Sequence, residues 1–176
     1  MSETFDGLVV KEQSGFYWVE ATNGMTYTCR LRGRLKEEAQ ASDIAAIGDR
    51  VTITTVIEDG TDIETGIIEA IAPRKNALSR AVRTSGKRGA GQAEREHVII
   101  ANADQALFVF AASQPTPNLR MLDRMLVACE KSAISQLTVV VNKVDLEDPS
   151  LIESRFAPYR EMGYRILQTS AMTNTG

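Results

Sequence analysis

Four consecutive residues, Asn142-Lys143-Val144-Asp145, carry side chains suited to recognising a purine base. The carboxylate of Asp145 can accept two parallel hydrogen bonds, from the ring N–H and the exocyclic amine of guanine. Adenine presents an unprotonated ring nitrogen at the same place, so the same carboxylate rejects it. The methylene stem of Lys143 can lie along the flat face of the base, and the amide of Asn142 can tie neighbouring loops together and reach the base. The tetrapeptide therefore favours guanine binding over a solvated polar turn.

A second short segment, Thr169-Ser170-Ala171, could complete the same pocket. The backbone N–H of Ala171 can donate to the carbonyl oxygen of guanine, while Ser170 holds the loop in shape. Each of the two polar segments comes at the end of a short apolar run typical of a buried strand, residues 137–142 and 164–168. Ligands of parallel sheets bind beyond the carboxyl ends of the strands, and both segments are expected to lie there.

The alternating strands and helices predicted for residues 98–176 would position both segments. An apolar run at 106–112 predicts a strand buried on both faces. Asn118 is a residue type that caps helices, and apolar residues at helical spacing follow it. Asp148 opens a second helix that Pro158 must kink or shorten. The order strand-helix-strand-helix-strand predicts an α/β fold with parallel pairing and right-handed crossovers.

Residues 1–73 instead show the period of two that is typical of half-buried strands. Turn sequences such as Thr22-Asn23-Gly24 and Asp59-Gly60 separate several of the runs. Five short strands, with a longer connection at 36–47 that could carry a short helix, predict a partly open barrel of the OB type. The five candidate strands are residues 7–11, 15–21, 25–32, 51–57 and 63–71.

Aromatic and basic residues of this barrel bear on RNA binding, because OB barrels commonly bind single strands by stacking in a basic groove. Phe16 and Trp18 alternate within a strand, which favours core positions for both. Arg30, Arg32 and Arg34 form a basic edge on a block that otherwise carries an excess of acidic residues. We interpret these three arginines as an RNA contact.

A basic segment follows the barrel, since residues 73–97 hold seven basic and two acidic side chains and no aromatic one. The run Thr-Ser-Gly-Lys-Arg-Gly-Ala-Gly at 84–91 cannot build a core, and residues 74–97 are predicted to be a flexible linker. Lys87 and Arg88 within it are candidate RNA-binding residues, because lysines and arginines that contact phosphates gain free energy by releasing counterions. The alternative, a linker that is merely solvated, stays open.

Composition excludes several classes of protein. Of the 176 residues 43% are hydrophobic and 24% charged, the balance of a globular rather than a disordered protein. Two cysteines, Cys29 and Cys129, with the single His97 supply neither a disulfide framework nor a four-ligand zinc site, so no metal site is predicted here. No apolar run is long enough to cross a bilayer and the first residues form no apolar signal segment, so we expect a cytoplasmic protein without a membrane anchor.

An ordinary GTPase also holds the phosphates in a loop of the type Gly-x-x-x-x-Gly-Lys-Ser/Thr, which this sequence lacks. Its nearest approach is Gly86-Lys87, which Arg88 follows in place of Ser or Thr. Either the guanine interpretation is wrong, or the GTPase domain is circularly permuted and its phosphate loop follows Gly176. The second explanation predicts a β plus α/β fold, in which an OB barrel precedes the first part of a permuted parallel-sheet GTPase domain. No catalytic residue can then be named in this chain.

Taken together, these features resemble the ribosome small-subunit-dependent GTPase family RsgA, also called YjeQ, in which a barrel precedes a GTPase domain whose guanine motifs come first. The resemblance extends over essentially the whole chain. The matching segments are Cys29-Arg-Leu-Arg-Gly-Arg34, Gly48-Asp-Arg-Val51, Pro73-Arg-Lys-Asn76, Leu78-Ser-Arg80, Ala101-Asn-Ala-Asp-Gln105, residues 117–126, residues 142–146 and Gly163-Tyr164.

The resemblance implies a late-acting assembly factor of the small ribosomal subunit, which binds the subunit and its rRNA through the OB domain and couples GTP hydrolysis to release. It implies GTP or GDP with Mg²⁺ as ligands, Zn²⁺ only in a C-terminal domain that this chain lacks, and by analogy a monomer. Asn142, Lys143 and Asp145 would bind guanine, with Ser170 and Ala171 completing the pocket. We expect the 176 residues alone to be inactive, and a non-enzymatic OB-type RNA-binding module remains the alternative.

Overall fold

The computed structural model describes residues 2–38, 45–56, 65–82 and 95–176. It divides the chain into two compact units, Met1–Ala103 and Asp104–Gly176. The predicted boundary between linker and second domain, 97/98, thus lies six residues before the division seen in the structure.

The first unit contains a five-stranded barrel, as predicted, with the strand order β1-β2-β3-β5-β4, and the barrel is closed where a partly open one was expected. Strands β3 and β5 pair in parallel and every other neighbouring pair in the barrel is antiparallel. A short helix, α1, follows β3 and begins three residues before the connection 36–47 in which one was expected. The elements are β1 (Thr4–Gln13), β2 (Phe16–Ala21), β3 (Thr26–Leu31), α1 (Gly33–Glu38), β4 (Arg50–Val56) and β5 (Thr65–Ile71).

The barrel core consists of the inward-facing residues of these strands, and Val9, Val19, Cys29, Ile53 and Ile68 are completely buried. Burial raises the pKa of the Cys29 thiol to about 12, because the thiolate would be desolvated there. The core is built from one face of each strand, as alternation requires.

Phe16 and Trp18 are not core residues, so the prediction made for them is wrong. Both side chains are half-buried on the outer surface of β2, while Tyr17 and Val19 alternate with them and are buried. Since all four consecutive side chains are apolar, the period of two identifies two faces of the strand but does not decide which one points inward.

The segment predicted as a linker contains two paired strands at its ends. Strands β6 (Ala77–Val82) and β7 (Arg95–Ala101) form an antiparallel hairpin within the first unit. Val98 and Ala101 of β7 pack with Ala46 in a small buried cluster, which gives the hairpin an apolar anchor that composition did not reveal. Lys87 and Arg88 lie outside the described residues.

An ion pair holds the base of this hairpin to the connection before β4. Asp49 is completely buried, and Arg74 donates to both of its carboxylate oxygens, Nε to Oδ1 at 2.8 Å and a terminal nitrogen to Oδ2 at 2.7 Å. Next to it Gly48 adopts a φ of +90°, and a Cβ there would lie 2.0 Å from the carbonyl oxygen of Ala101. The side-chain amide of Asn102 donates to the Gly48 carbonyl at 2.9 Å. We call Asp49, Arg74, Gly48 and Asn102 the clasp.

The second unit is a three-stranded parallel sheet with the order β10-β9-β8, which confirms the predicted strand-helix-strand-helix-strand arrangement. Its helices begin at caps that the sequence indicated: Asn118 accepts from the backbone N–H of Met121, and Asp148 accepts from Ser150. The elements are β8 (Gln105–Ala111), α2 (Leu119–Lys131), β9 (Gln136–Asn142), a 3₁₀ turn (Val144–Leu146), α3 (Pro149–Glu161) and β10 (Arg165–Gln168).

Hydrogen bonds to Asp148 lower its pKa below the usual range, chiefly the one from the Ser150 hydroxyl and then those from backbone N–H groups. The ionised carboxylate is the better acceptor, so this cap favours the charged form at the start of α3. Pro158 lies inside α3, and the helix continues past it to Glu161.

Helices α2 and α3 bury Leu122, Leu126, Ile152 and Phe156 in the core of the second unit. Strand β8 differs from its prediction, because Leu107 and Val109 are 55% and 63% exposed while Phe108 between them is buried. An entirely apolar run does not show that both faces are covered, and among the described residues nothing packs over this face of β8. None of the helices in the described part of the chain is long and apolar enough to cross a membrane.

Candidate functional site

The two polar segments identified in the sequence lie at the carboxyl ends of neighbouring strands. Asn142 is the last residue of β9, and β10, which ends at Gln168, pairs with β9 in parallel register. Lys143 then adopts a left-handed backbone conformation (φ 59°), which turns the chain directly into the 3₁₀ turn that carries Asp145. The sheet thereby presents both loops at the same edge, as expected for parallel strands.

Asn142 ties these two loops together. Its Oδ1 accepts from the backbone N–H of Lys143 at 2.8 Å and from the hydroxyl of Thr169 at 3.1 Å. The backbone N–H of Val144 donates to the carbonyl of Thr169 at 3.2 Å, which adds a direct link between the loops. The carbonyl of Asn142 accepts from the backbone N–H of Ala112 at 2.7 Å, so the loop after β8 is joined as well. Thr169 therefore helps to join the two loops, although no role of its own was predicted for it from the sequence.

Ser170 orients Asp145. The Ser170 side chain is almost fully buried, and its hydroxyl donates to Oδ1 of Asp145. The same hydroxyl accepts from the backbone N–H of Thr173 at 3.2 Å, and the backbones of Ser170 and Thr175 exchange two hydrogen bonds. The loop that holds Ser170 is therefore fixed by its own bonds, and the serine fixes one carboxylate oxygen in turn.

Lys143 extends from the turn to the loop after β8. Its ammonium group donates to the carbonyl oxygen of Gln114 at 2.9 Å, while the side chain is exposed. Gln114 was not predicted as a site residue; the only signal was its place in a polar, proline-containing loop directly after a strand. Lys143 thus links the loop after a third strand, β8, to the two loops of the pocket.

Two groups on exposed residues of the candidate site have no hydrogen-bond partner among the described residues. They are Oδ2 of Asp145, to which none donates, and the backbone N–H of Ala171, from which none accepts. A fixed carboxylate acceptor beside an N–H donor can bind a ring that offers a donor edge and a carbonyl oxygen, the pattern of guanine. The donor set therefore fits the guanine portion of a nucleotide.

The predicted RNA-contact arginines occupy three different settings. Arg30 lies on β3, exposed, with its guanidinium carbon 4.6 Å from the centre of the Phe16 ring. Arg32, directly after β3, forms an ion pair with Glu69 of β5, and Arg34 lies in α1. Lys11 of β1 was missed in the sequence; its ammonium lies 4.2 Å from the centre of the Trp18 ring.

No metal centre is found in the part of the chain that the structure describes. Within these ranges no group of three or more His, Cys, Asp or Glu side chains is arranged to hold a metal ion. Cys29 and Cys129 are both free thiols and buried, one in each unit.

Comparison with family models gives two matches that together cover most of the chain. Residues 71–176 match the model described as RsgA GTPase, and residues 6–63 match the model described as RsgA N-terminal domain.

Individual relatives agree with the family models. The chain is similar to proteins named small ribosomal subunit biogenesis GTPase RsgA, 38% identical to that of Gemmatimonas aurantiaca and 33% identical to that of Chlorobaculum tepidum. All of this chain is aligned in both cases, with 54% and 55% of the relatives. The crystal structure of YjeQ from Thermotoga maritima matches 99% of this chain and 54% of its own, with a TM-score of 0.69 and 27% identity. The chain thus spans about half the length of the curated relatives it matches.

Proposed function

The chain belongs to the RsgA GTPase family, and from this premise we propose that it supplies base recognition and RNA contact to a GTPase of small ribosomal subunit assembly. Relatives that align with the entire chain carry the name small ribosomal subunit biogenesis GTPase. The observation that carries the proposal within the chain is the buried Ser170 hydroxyl that orients Asp145 while its second oxygen stays open.

In this proposal Asp145 accepts from the ring N–H and the exocyclic amine of guanine through its open carboxylate edge. The backbone N–H of Ala171 donates to the guanine carbonyl oxygen. Lys143 is held between the pocket and the Gln114 carbonyl, so its methylene stem can cover one face of the base. Asn142 and Val144 position the loops that carry these groups.

The remaining parts of the reaction are not assigned to residues of this chain. GTP binds such enzymes as its Mg²⁺ complex, and the metal neutralises charge on the phosphates during transfer. The 176 residues contain no Gly-x-x-x-x-Gly-Lys-Ser/Thr sequence, so we assign to them the recognition of the base and name no catalytic residue. We likewise propose no zinc site among these 176 residues, and expect zinc only outside them.

RNA contact is proposed for the barrel unit. Arg30, Arg32 and Arg34 supply positive charge on β3 and just after it, and such side chains bind phosphates with release of counterions. Lys87 and Arg88 are proposed as further contacts on the same electrostatic ground. We further propose that the protein acts in the cytoplasm as a monomer, bound to the rRNA of the small subunit.

Asp145→Asn in the intact protein tests the base-recognition role. The amide reverses the donor pattern at one position, so guanine nucleotides should bind about 100-fold more weakly and xanthine nucleotides should bind better than they do to the parent protein. Competition against a fluorescent GDP measures both affinities. Glu161→Gln, an exposed carboxylate at the end of α3, is the matched control and should leave both unchanged.

A variant Asp145→Asn that binds GTP as tightly as the parent would show that Asp145 does not recognise the base. If in addition the bound nucleotide does not alter RNA affinity, the non-enzymatic RNA-binding module replaces the GTPase as the better account of the chain.

A further inference from the structure

The outer surface of β1, β2 and β3 carries two aromatic rings, each with a cation above it. Lys11 lies over Trp18 at 4.2 Å and Arg30 lies over Phe16 at 4.6 Å, measured to the ring centres. Lys11 pairs with Trp18 across β1 and β2, and Trp18 pairs with Thr28 across β2 and β3, so the four side chains project from one continuous patch. We call Lys11, Phe16, Trp18 and Arg30 the cation–ring face.

Packing of the barrel does not account for this arrangement. Strand β2 buries Tyr17 and Val19 and leaves its tryptophan, the only one in the chain, on the outside. Burial of a tryptophan would remove more apolar surface from water than burial of a valine, and an exposed cation–ring pair adds little stability. Aromatic rings kept at a surface beside cations are typical of a binding site.

The spacing of the rings favours unpaired bases over a double helix. Phe16 and Trp18 are two residues apart on one strand, which places them about 6.6 Å apart along it. Successive nucleotides of a stacked strand rise by only about 3.4 Å, so two neighbouring bases reach both rings only if they are unstacked and splayed apart. RNA recognition of this kind uses single-stranded loops and ends whose bases stack on aromatic side chains.

The charges around the rings fit the same ligand. Lys11 and Arg30 are long, exposed side chains that can exchange a ring contact for a phosphate oxygen while a base takes their place on the ring. Glu20, two residues beyond Trp18 on the same side of β2, limits the face at that end. Lys11 lies beside Trp18 on β1 and Arg30 lies beside Phe16 on β3, so phosphates are expected on both flanks of the two rings.

We propose that Phe16 and Trp18 are a stacking site for two unpaired RNA bases, whose phosphates Lys11 and Arg30 bind. The inference rests on the RNA contact proposed for the barrel and narrows it from a basic edge to a defined surface and a single-stranded ligand. The half-buried aromatic rings on the outer surface set this ligand apart from duplex RNA, which is bound through its phosphates and ribose hydroxyls.

Trp18 itself reports the outcome, because it is the only tryptophan of the 176-residue chain. Titration with a ten-nucleotide single-stranded oligoribonucleotide should quench its fluorescence, and a fluorescence-anisotropy titration with the same labelled RNA should give the same dissociation constant. The variant Trp18→Leu, which keeps bulk without an aromatic ring, should bind this RNA about 5- to 100-fold more weakly. Trp18→Phe should restore part of the affinity, and duplex RNA of the same sequence should bind all three proteins equally.

Leu8→Ala is the matched control, since Leu8 is an exposed apolar side chain on β1 outside the face, and it should bind as the parent does. Circular dichroism of each variant shows whether the barrel is folded. If Lys11→Gln and Arg30→Gln weaken binding but Trp18→Leu does not, the barrel binds RNA and the stacking site is wrong. If the parent binds no RNA at all, the RNA contact proposed above fails together with this inference. If small-subunit ribosomal proteins quench Trp18 and single-stranded RNA does not, the face binds protein and the proposal is overturned.

Discussion

The barrel and the parallel sheet hold their candidate ligand groups in different ways. On the barrel, Trp18 and Arg30 project from strands whose backbones pair independently of these side chains. In the pocket, the side chains of Asn142, Asp145 and Ser170 are hydrogen-bonded into the loops that carry them. A ligand group on the barrel can therefore change without loss of the fold, whereas a change in the pocket alters the loops and the ligand site together.

The contacts on which stability depends lie at different places in the two units. In the barrel unit they are those of the clasp, where the buried Asp49 is bound by Arg74. In the parallel unit they are the hydrogen bonds at the strand ends, which also form the pocket. Variants chosen from the two regions should therefore separate stability from ligand affinity in the first unit and couple them in the second.

The largest effect is expected for Asp49→Ala. The substitution removes the buried carboxylate that Arg74, whose side chain is only 21% exposed, binds with two nitrogens, and it removes the acceptor for the backbone N–H of Ala46. Breaking a buried pair by removing one partner costs about 3–5 kcal/mol in the free energy of unfolding. Urea unfolding followed by Trp18 fluorescence measures this loss, and alkylation of the buried Cys29 should become faster because opening of the barrel limits it.

Asp6→Ala serves as the control for the clasp, since Asp6 is exposed and its carboxylate accepts, among the described residues, only from the hydroxyl of Thr52 at 2.9 Å. Its effect should be below about 1 kcal/mol. If both variants lose a similar free energy of unfolding, the clasp contributes no more to the stability of the barrel unit than an exposed hydrogen bond does. The stated difference between the two units would then be wrong.

A smaller effect, on stability and on affinity together, is expected for Ser170→Ala. The change removes the donor to Asp145 and the acceptor of the Thr173 N–H within a nearly fully buried site. Loss of such bonds costs about 1–3 kcal/mol, and the freed carboxylate should bind guanine nucleotides more weakly. Thermal unfolding and a GDP titration measure the two quantities in the intact protein. Ser135 is exposed before β9, and the control Ser135→Ala should change neither the stability nor the GDP affinity. If Ser170→Ala lowers the stability but leaves the GDP affinity at the parent value, the expected coupling of the two quantities is wrong.

Sequence was informative about the pocket because its residues are contiguous and follow the strands directly. The change from apolar to polar at Asn142 and at Thr169 marks both strand ends, and parallel pairing then brings them to one edge. The structure places the predicted residues together, and their binding of guanine stays a prediction. The donation from Lys143 to Gln114 was not predictable, since it depends on how a third loop, 29 residues earlier in the chain, folds back.

Sequence was less informative about the outer side of the barrel. Alternation predicted the strands of a partly open barrel, yet Phe16, Tyr17, Trp18 and Val19 are all apolar, so either face of β2 could have been the buried one. The side that faces the core is decided by pairing with β1 and β3, where Val9 and Cys29 are buried. These are tertiary relations, and no local pattern contains them.

The hairpin of β6 and β7 shows the limit of inference from composition. Basic and small residues indicated a linker over 74–97, but residues 77–82 and 95–97 within it belong to paired strands. The clasp that fastens the hairpin joins residues 25 and 54 positions apart, from Asp49 to Arg74 and from Gly48 to Asn102. Contacts of that sequence separation leave no periodic signal.

The smallest change in stability is expected for Glu69→Gln. Glu69 pairs with Arg32, whose side chain is 59% exposed, and an exposed ion pair of this kind contributes about 0–1 kcal/mol. The same change frees Arg32 for a phosphate, so affinity for single-stranded RNA should rise by about 2- to 5-fold and the salt dependence of binding should steepen by up to about 0.7 in the logarithmic slope. Urea unfolding and anisotropy titrations at several salt concentrations measure these quantities.

Glu3→Gln is the control that separates Arg32 from net charge, because it removes one exposed carboxylate from the same unit without touching the arginine. If both variants raise RNA affinity equally, the gain comes from the overall charge of the barrel and Arg32 is no specific contact. If only Glu69→Gln raises it, with stability unchanged, the Arg32–Glu69 pair restrains an RNA contact. The barrel would then combine a surface that can be altered freely with a core that cannot, whereas in the pocket the side chains of Asn142, Asp145 and Ser170 are also hydrogen-bonded into the loops that carry them.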